Sequence, residues 1–229
     1  MFDEKRFDAA GEQVEKLLSL AGVHSGSVLD LCCGPGRHSV ALAQRGFRVT
    51  AVDRTAFLLG KARQRARKAG VKMEFVHSDM RDFVRPGAFD LAMNLFTSFG
   101  YFDNKDDDRT VLRHLHESLR SGGVVVMDMV GKEWLAKVMQ ATTSTEYPDG
   151  ALLVQRHEVF DDWTRIRNEW ILIKGETVRR FKFHHTLYSA QELRDRLVEA
   201  GFTDIRMCNS FDGAPYDGTG RLVAVARKR

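Results

Sequence analysis

A chain of 229 residues, 43% apolar and 29% charged, carries enough apolar side chains to close one globular domain, which excludes a disordered or fibrous protein. Its net charge of +4 is offset by acids spread along the whole length, so charge alone does not make it a nucleic-acid binder. Three cysteines, two of them adjacent at Cys32 and Cys33, exclude a disulfide framework, and no His or Cys spacing matches a zinc site, so reduced thiols and no metal are expected.

The first residues, MFDEKRFDAAGEQ, have no apolar core behind their charges, and no later apolar run reaches the roughly 18 residues of a membrane span. A cytoplasmic protein without a membrane partner is expected. From residue 12 to about 130, apolar runs alternate with amphipathic segments, the pattern of βαβ units and a mainly parallel sheet. Periodicity predicts a helix over 11–22, a strand over 27–32, a helix over 36–45, a strand over 48–53, a helix over 56–69 and a strand over 72–77. A strand over 89–95, a helix over 106–120 and a strand over 123–130 follow, with Gly46, Gly70 and Gly122 read as helix stops. In the basic run 61–68, Lys61, Arg65 and Lys68 share one helical stripe and Ala62, Ala66 and Ala69 another, which reads as a solvated face.

Beyond 130 the composition turns to Val, Ile, Trp, Phe and Thr. Strands over 151–161, 164–174 and 177–188, broken at Asp161-Asp162 and Gly175-Glu176, read as an antiparallel meander inserted over 150–188 of a single domain, a cover on the substrate side. Ser189, with Glu192 three residues on, forms a capping box for a helix to Ala200, and strands over 203–209 and 221–227 complete a doubly wound, seven-stranded α/β sheet of Rossmann-like type.

Three acids follow successive apolar strands. The stretch VLDLCCGPGRH, Val28 to His38, runs a strand through a glycine loop into a helix, whose N-terminus offers free N–H groups and a positive dipole end to an anionic group. Asp53 ends the next strand, where an acid can grip ribose hydroxyls. Asp79, in FVHSDMR, can accept from an adenine amino group while the Met80 backbone meets the ring edge. Each acid alone has an equally good reading as a helix cap or turn residue. Together, behind a Gly-x-Gly loop, they fit a ligand lying across the carboxyl edge of the sheet at its topological switch point.

On these motifs, residues 27–129 resemble the class I S-adenosylmethionine-dependent methyltransferase family. Asp30, Gly34 and Gly36 match its acid-x-Gly-x-Gly-x-Gly loop, whereas Cys32 stands at the position of its first glycine. The resemblance implies that Asp30 and the loop backbone, Cys32 included, hold the methionine end of S-adenosylmethionine, Asp53 the ribose, and Asp79 with Met80 the adenine. It also implies that Leu58 packs on the adenine face, that the backbone at Asn94 and Leu95 meets the cofactor's amino group, and that Arg54 and Arg81 either seal the pocket or pair with its acids. The FTSFGY stretch, Phe96 to Tyr101, is similar to a small-molecule subgroup of the family, with the reactive methyl beside that loop.

Direct in-line transfer of a methyl group needs positioning more than covalent chemistry, and a base only where the acceptor must lose a proton. In the strand over 177–188, alternation puts Phe181, Phe183, His185 and Leu187 on one face. His185 and Tyr101 are therefore the candidates for orienting or deprotonating the acceptor, beside a plain reading as a half-buried histidine and a packed tyrosine. Arg156, Arg167, Arg179 and Arg180 hint at an anionic small-molecule acceptor, and equally at edge protection. Phe211, Asp212 and Tyr216, in the loop joining the last two strands, are further candidate substrate contacts.

Three alternatives stand beside the small-molecule reading. An RNA or protein acceptor keeps the same cofactor site, but the sequence shows no appended RNA-binding module, so no nucleic-acid partner is expected. A nicotinamide-dependent oxidoreductase would need a third glycine where Ser39 stands, would keep position 30 apolar, and would give Asp79 no role. A protein that binds the cofactor without turnover is the third.

Overall fold

The computed structural model describes residues 5–229, with side chains from Phe7 onward, so the reading of the first four residues lies outside the described part. The elements are α1 (Lys5–Asp8), α2 (Ala10–Ala21), β1 (Ser27–Leu31), α3 (Arg37–Gln44), β2 (Arg48–Asp53), α4 (Ala56–Lys68), β3 (Glu74–His77), β4 (Phe89–Asn94), α5 (Lys105–Ser118) and β5 (Leu119–Met129). Then come α6 (Lys132–Val138), β6 (Thr142–Glu146), β7 (Leu152–Phe160), β8 (Arg165–Lys174), β9 (Thr177–Thr186), α7 (Ala190–Glu199), β10 (Thr203–Cys208) and β11 (Leu222–Arg227).

Seven strands form one sheet in the order β10-β11-β5-β4-β1-β2-β3. Strands β1 to β5 pair parallel to one another, and β11 runs antiparallel to both β5 and β10. The order reverses between β1 and β4, which places a crevice at their carboxyl ends. The inner strands are apolar on both faces because helices cover both sides. Leu29 and Leu31 pack with Val111, Leu112 and Leu115 of α5 and Leu193 and Leu197 of α7. Val28, Leu91 and Val126 instead meet Val14, Leu17 and Leu18 of α2 and Leu42 of α3. Each fully buried Leu or Val contributes about 1.5–3 kcal/mol of burial.

The capping box forms as predicted: Ser189 Oγ accepts from the Glu192 amide at 3.2 Å, and Glu192 Oε2 accepts from the Ser189 amide at 2.7 Å. Gly122 is not a helix stop, because α5 ends at Ser118 and the chain is extended from Leu119. Phe89 pairs with Leu119 but Leu91 with Val124, so β5 carries a bulge there, and the Gly122 amide donates to Lys228 O at 2.8 Å.

The meander is a separate four-stranded antiparallel sheet, β6-β7-β8-β9, lying in sequence between β5 and α7. Its outer strand β6 and the short helix α6 escaped the sequence reading. TTSTE has no apolar alternation, and no α6 residue is buried. Among the described residues, no helix is long and apolar enough to cross a membrane.

Candidate functional site

The loop after β1 is built on the edge of β2. The amides of Cys32 and Cys33 both donate to Val52 O, at 2.8 and 2.9 Å, and the Gly34 amide donates to Asp53 Oδ2 at 2.8 Å. Cys32 holds a left-handed backbone, φ 68°, at the position where the resembled family has glycine. Gly36 has φ 78°, and a Cβ there would sit 2.8 Å from the Ala62 Cβ, so only glycine lets α3 start this close to α4.

Asp30 is buried beneath this loop and accepts a hydrogen bond from the Ser39 hydroxyl in the first turn of α3. Burial pushes its carboxyl up to about 6, and the Asp53 charge adds to the shift against the Ser39 bond. One carboxylate oxygen thus secures the helix start. Asp53, also buried, spans the loop and the next helix, since its Oδ1 accepts from the Thr55 amide at 2.8 Å. Burial, with the charges of Asp53, Asp30 and Asp79 behind it, raises the Cys32 thiol to about 12, so it is a neutral packing group whose Sγ lies 3.6 Å from Met80 Sδ.

Asp79 takes three bonds from Arg81: the amide at 3.0 Å, Nε at 3.0 Å and Nη2 at 3.1 Å. That hydrogen bonding holds its carboxyl below the usual carboxylate range, with the Arg81 and Arg54 charges adding to the effect. Arg81 also donates to Asp107 at 3.1 Å and lies over the Phe102 ring, so it pairs with the acid. Arg54 is exposed, and Leu58 is half-buried on α4. At the end of β4, Asn94 is fully buried; its Nδ2 donates to Leu31 O at 3.2 Å, and its Oδ1 has no partner among the described residues. Leu95 beside it is buried.

The loop after β4 is held by residues that the sequence did not single out. Phe96 and Thr97 are both left-handed, φ 57°. The Phe96 amide donates to Asp128 Oδ2 at 3.0 Å, and the Thr97 amide donates to the Asp128 carbonyl at 2.9 Å. Arg221, just before β11, donates to both Asp128 oxygens at 2.6 and 3.1 Å and to Thr97 Oγ1 at 3.1 Å. The Arg37 guanidinium lies over the Phe96 ring, 3.5 Å from its centroid, and the His38 ring stacks on it. An aspartate inside the apolar run VVVMDM was the available signal, but its partner is 93 residues away.

Further along, Gly100 has φ 94°, and a Cβ there would lie 2.9 Å from Thr186 O; the Thr186 amide donates to Gly100 O at 2.8 Å. This contact docks β9 on the loop. Tyr101 then stacks on His185, centroids 4.9 Å apart, and meets Phe183 at 6.1 Å. His185 is buried with its Nδ1 unpartnered, and burial, then the His184 charge, lowers its pKa to about 4. Burial and nearness to Cys32 push the Tyr101 hydroxyl up. The structure therefore brings His185 and Tyr101 together.

Other expected contacts are elsewhere. Arg156 and Arg180 pair with Glu169, and Arg167 with Glu158, on the face of the meander opposite His185. Three of the four arginines read as an anion site thus serve the outer face. Asp212 is bound by Lys16 of α2 at 2.9 Å, Phe211 packs against the α2 side of the core, and Tyr216 donates to Glu133 of α6 at 3.2 Å.

Residues 28–123 match the family model described as a methyltransferase domain. The glycine/sarcosine N-methyltransferase of Aphanothece halophytica is 28% identical over 97% of this chain and 83% of its own length. These matches support a class I S-adenosylmethionine-dependent methyltransferase. Two solved structures share the fold of this methyltransferase. The CcbJ methyltransferase from Streptomyces caelestis superposes with a TM-score of 0.82 at 19% identity, covering 96% of this chain and 95% of its own. The sugar N-methyltransferase KedS8 from Streptoalloteichus superposes with a TM-score of 0.74 at 20% identity, covering 97% and 88%. S-adenosylmethionine is the methyl donor of this enzyme.

Proposed function

We propose that the enzyme methylates a small molecule held between the loop after β4 and the inner face of the second sheet. The observation carrying this reading is the Tyr101–His185 stack, which joins that face to the carboxyl edge of β4. Relatives acting on glycine, sarcosine and sugars are consistent with a small acceptor.

The residues present fit the donor. Asn94 Oδ1, fully buried and unpartnered, suits an ammonium group, and the left-handed Cys32–Gly36 loop leaves its backbone close to the methionine end. Asp30 fixes that loop, Asp53 takes the ribose hydroxyls, and Asp79 with the Met80 backbone takes the adenine edge. Leu58 covers the ring, while Leu95 shapes the floor beside Asn94. Arg54 lies exposed at the adenine end, and Arg81 orients Asp79. Bound S-adenosylmethionine supplies an electrophilic sulfonium methyl. At neutral pH, His185 is an uncharged imidazole and so can accept a proton from an amine or hydroxyl acceptor, while Tyr101 holds the imidazole by stacking.

The test is methyl transfer from labelled donor to a panel of small amines and alcohols, with calorimetric titration of S-adenosylhomocysteine beside it. His185→Phe should lose turnover on every acceptor whose pKa requires a base and keep cofactor affinity; retained turnover would remove the base role.

One observation favours a second reading. Residues 54–73 carry seven cations and no acid, and none of these cations makes an ion pair among the described residues. An RNA acceptor would use that strip, and binding of bulk tRNA that weakens steeply with salt would support it.

A further inference from the structure

The two faces of the second sheet differ in chemistry. Register pairs Asn168 with His157 and Phe183, Trp170 with Gln155 and Phe181, and Ile166 with His185, so these side chains share the face that meets Tyr101. The β7–β9 residues of that face include no acid, and its two cations, Arg179 and Lys174, stand at the far end of the strands from His185, Lys174 paired with Asp149. The opposite face carries Arg156, Glu158, Arg167, Glu169, Arg180 and Lys182, ion-paired to one another. Aromatic rings run without a break along the inner face: Trp170 meets Phe183 edge-on at 5.1 Å, Phe183 meets Tyr101, and Tyr101 stacks on His185.

Three buried polar atoms on this face lack a partner among the described residues: Asn168 Nδ2, Trp170 Nε1 and His185 Nδ1. Asn168 is 5% exposed and held in one orientation, because its Oδ1 lies 2.7 Å from His157 Nδ1. Buried N–H groups are almost always paired in folded proteins, so two unspent donors set among aromatic rings mark a place built for acceptor oxygens. A carboxylate placed there would meet no compensating cation at the middle of the strands, whereas a hydroxyl or carbonyl oxygen needs only the two N–H groups.

We infer that Asn168 and Trp170 form the specificity subsite of the acceptor pocket. Their N–H groups receive neutral hydroxyl or carbonyl oxygens of a ring-shaped amine or alcohol, whose ring lies along Phe183 and Tyr101 and whose nucleophile faces His185. The inference rests on the small-molecule reading above and adds its substrate class.

The test is titration of the S-adenosylhomocysteine-saturated enzyme with three matched ring amines: a methyl aminohexopyranoside, with neutral oxygens; cyclohexylamine, with none; and 3-aminocyclohexanecarboxylate, with a charged one. The aminohexopyranoside should bind on the order of tenfold more tightly than the other two, as one good hydrogen bond implies. Asn168→Leu and Trp170→Phe should each weaken it on the order of tenfold while leaving cyclohexylamine and cofactor affinities unchanged. The phenylalanine variant keeps the ring and removes a single N–H, so it reports even if the leucine variant fails to fold. Preference for the carboxylate probe, equal binding by parent and variants, or no binding of any probe would overturn the inference. If binding survives both variants but falls in His185→Phe, the donor subsite fails and the acceptor site stands. If labelled methyl reaches tRNA or protein and no probe, the small-molecule reading falls with it.

Discussion

Replacing Arg221 by methionine tests whether charge holds the loop after β4. In the parent, Asp128 is 2% exposed and takes guanidinium bonds at 2.6 and 3.1 Å, with a third reaching Thr97 at 3.1 Å. Methionine keeps much of the aliphatic length but leaves a buried carboxylate facing only the Phe96 amide. Breaking one side of a buried pair costs roughly 3–5 kcal/mol. The Arg221 side chain is 32% exposed, so water can reach the vacated space, and the lower end, about 3 kcal/mol, is expected. Phe96 and Thr97 hold left-handed backbones that cost on the order of 1 kcal/mol each, and they keep them only while the latch holds, so the loop should relax as well. Urea unfolding of the parent, Arg221→Met, Asp128→Asn and the double variant measures the coupling. The arginine variant should lose about 3 kcal/mol, and the double variant should be less destabilised than the sum of the singles. Affinity for S-adenosylhomocysteine should fall in parallel, because Asn94 precedes this loop. A loss under about 1 kcal/mol, or strictly additive losses, would show a solvated pair and a loop held by the packing of Phe96 alone.

Asp108 is fully buried, accepts from the Tyr188 hydroxyl at 2.7 Å, and has its carboxyl raised from 3.8 to about 6, chiefly by burial. A raised acid stabilises the fold fully below its unfolded value and loses that contribution as pH rises through the folded one. The stability of Asp108→Asn relative to the parent should therefore climb by about 2.5 kcal/mol from pH 4 to above pH 7, and a flat difference in denaturant titrations would refute this. With the His185 pKa lowered to about 4, kcat/KM for an acceptor needing deprotonation should lose activity only near that pH on the acid side, and a limb near the ordinary imidazole value would contradict the burial seen here. Gly100→Ala should destabilise by roughly 2 kcal/mol or more in thermal unfolding, since both φ and the Thr186 carbonyl oppose a Cβ. Asp53→Ala should lower S-adenosylhomocysteine affinity at least tenfold by calorimetry, the order expected for losing a charged hydrogen-bond partner, while the parent ignores NADH; binding unchanged in the variant would remove Asp53 from the ribose site.

Local signals determined much of this protein. The apolar runs at 28–31, 49–52 and 91–93 are buried on both faces, so their composition alone marked inner strands of a parallel sheet. Asp30 lies within the first run, Asp53 directly follows the second, and Asp79 comes two residues after β3; a parallel sheet carries the ends of its strands to one edge, so the sequence already put the three acids on one side. Ser189 with Glu192 likewise needs only a three-residue spacing. Sequence could not show which charges are already committed. Asp79 belongs to Arg81, Asp128 to Arg221, and three of the arginines of the second sheet to Glu169 and Glu158. Nor could it reveal that Asn168, Trp170 and His185 turn to one face with Tyr101. Strand alternation sets which residues of a strand share a face, but only the docking of β9 on Gly100 decides which face looks into the site, and that contact joins residues 86 positions apart.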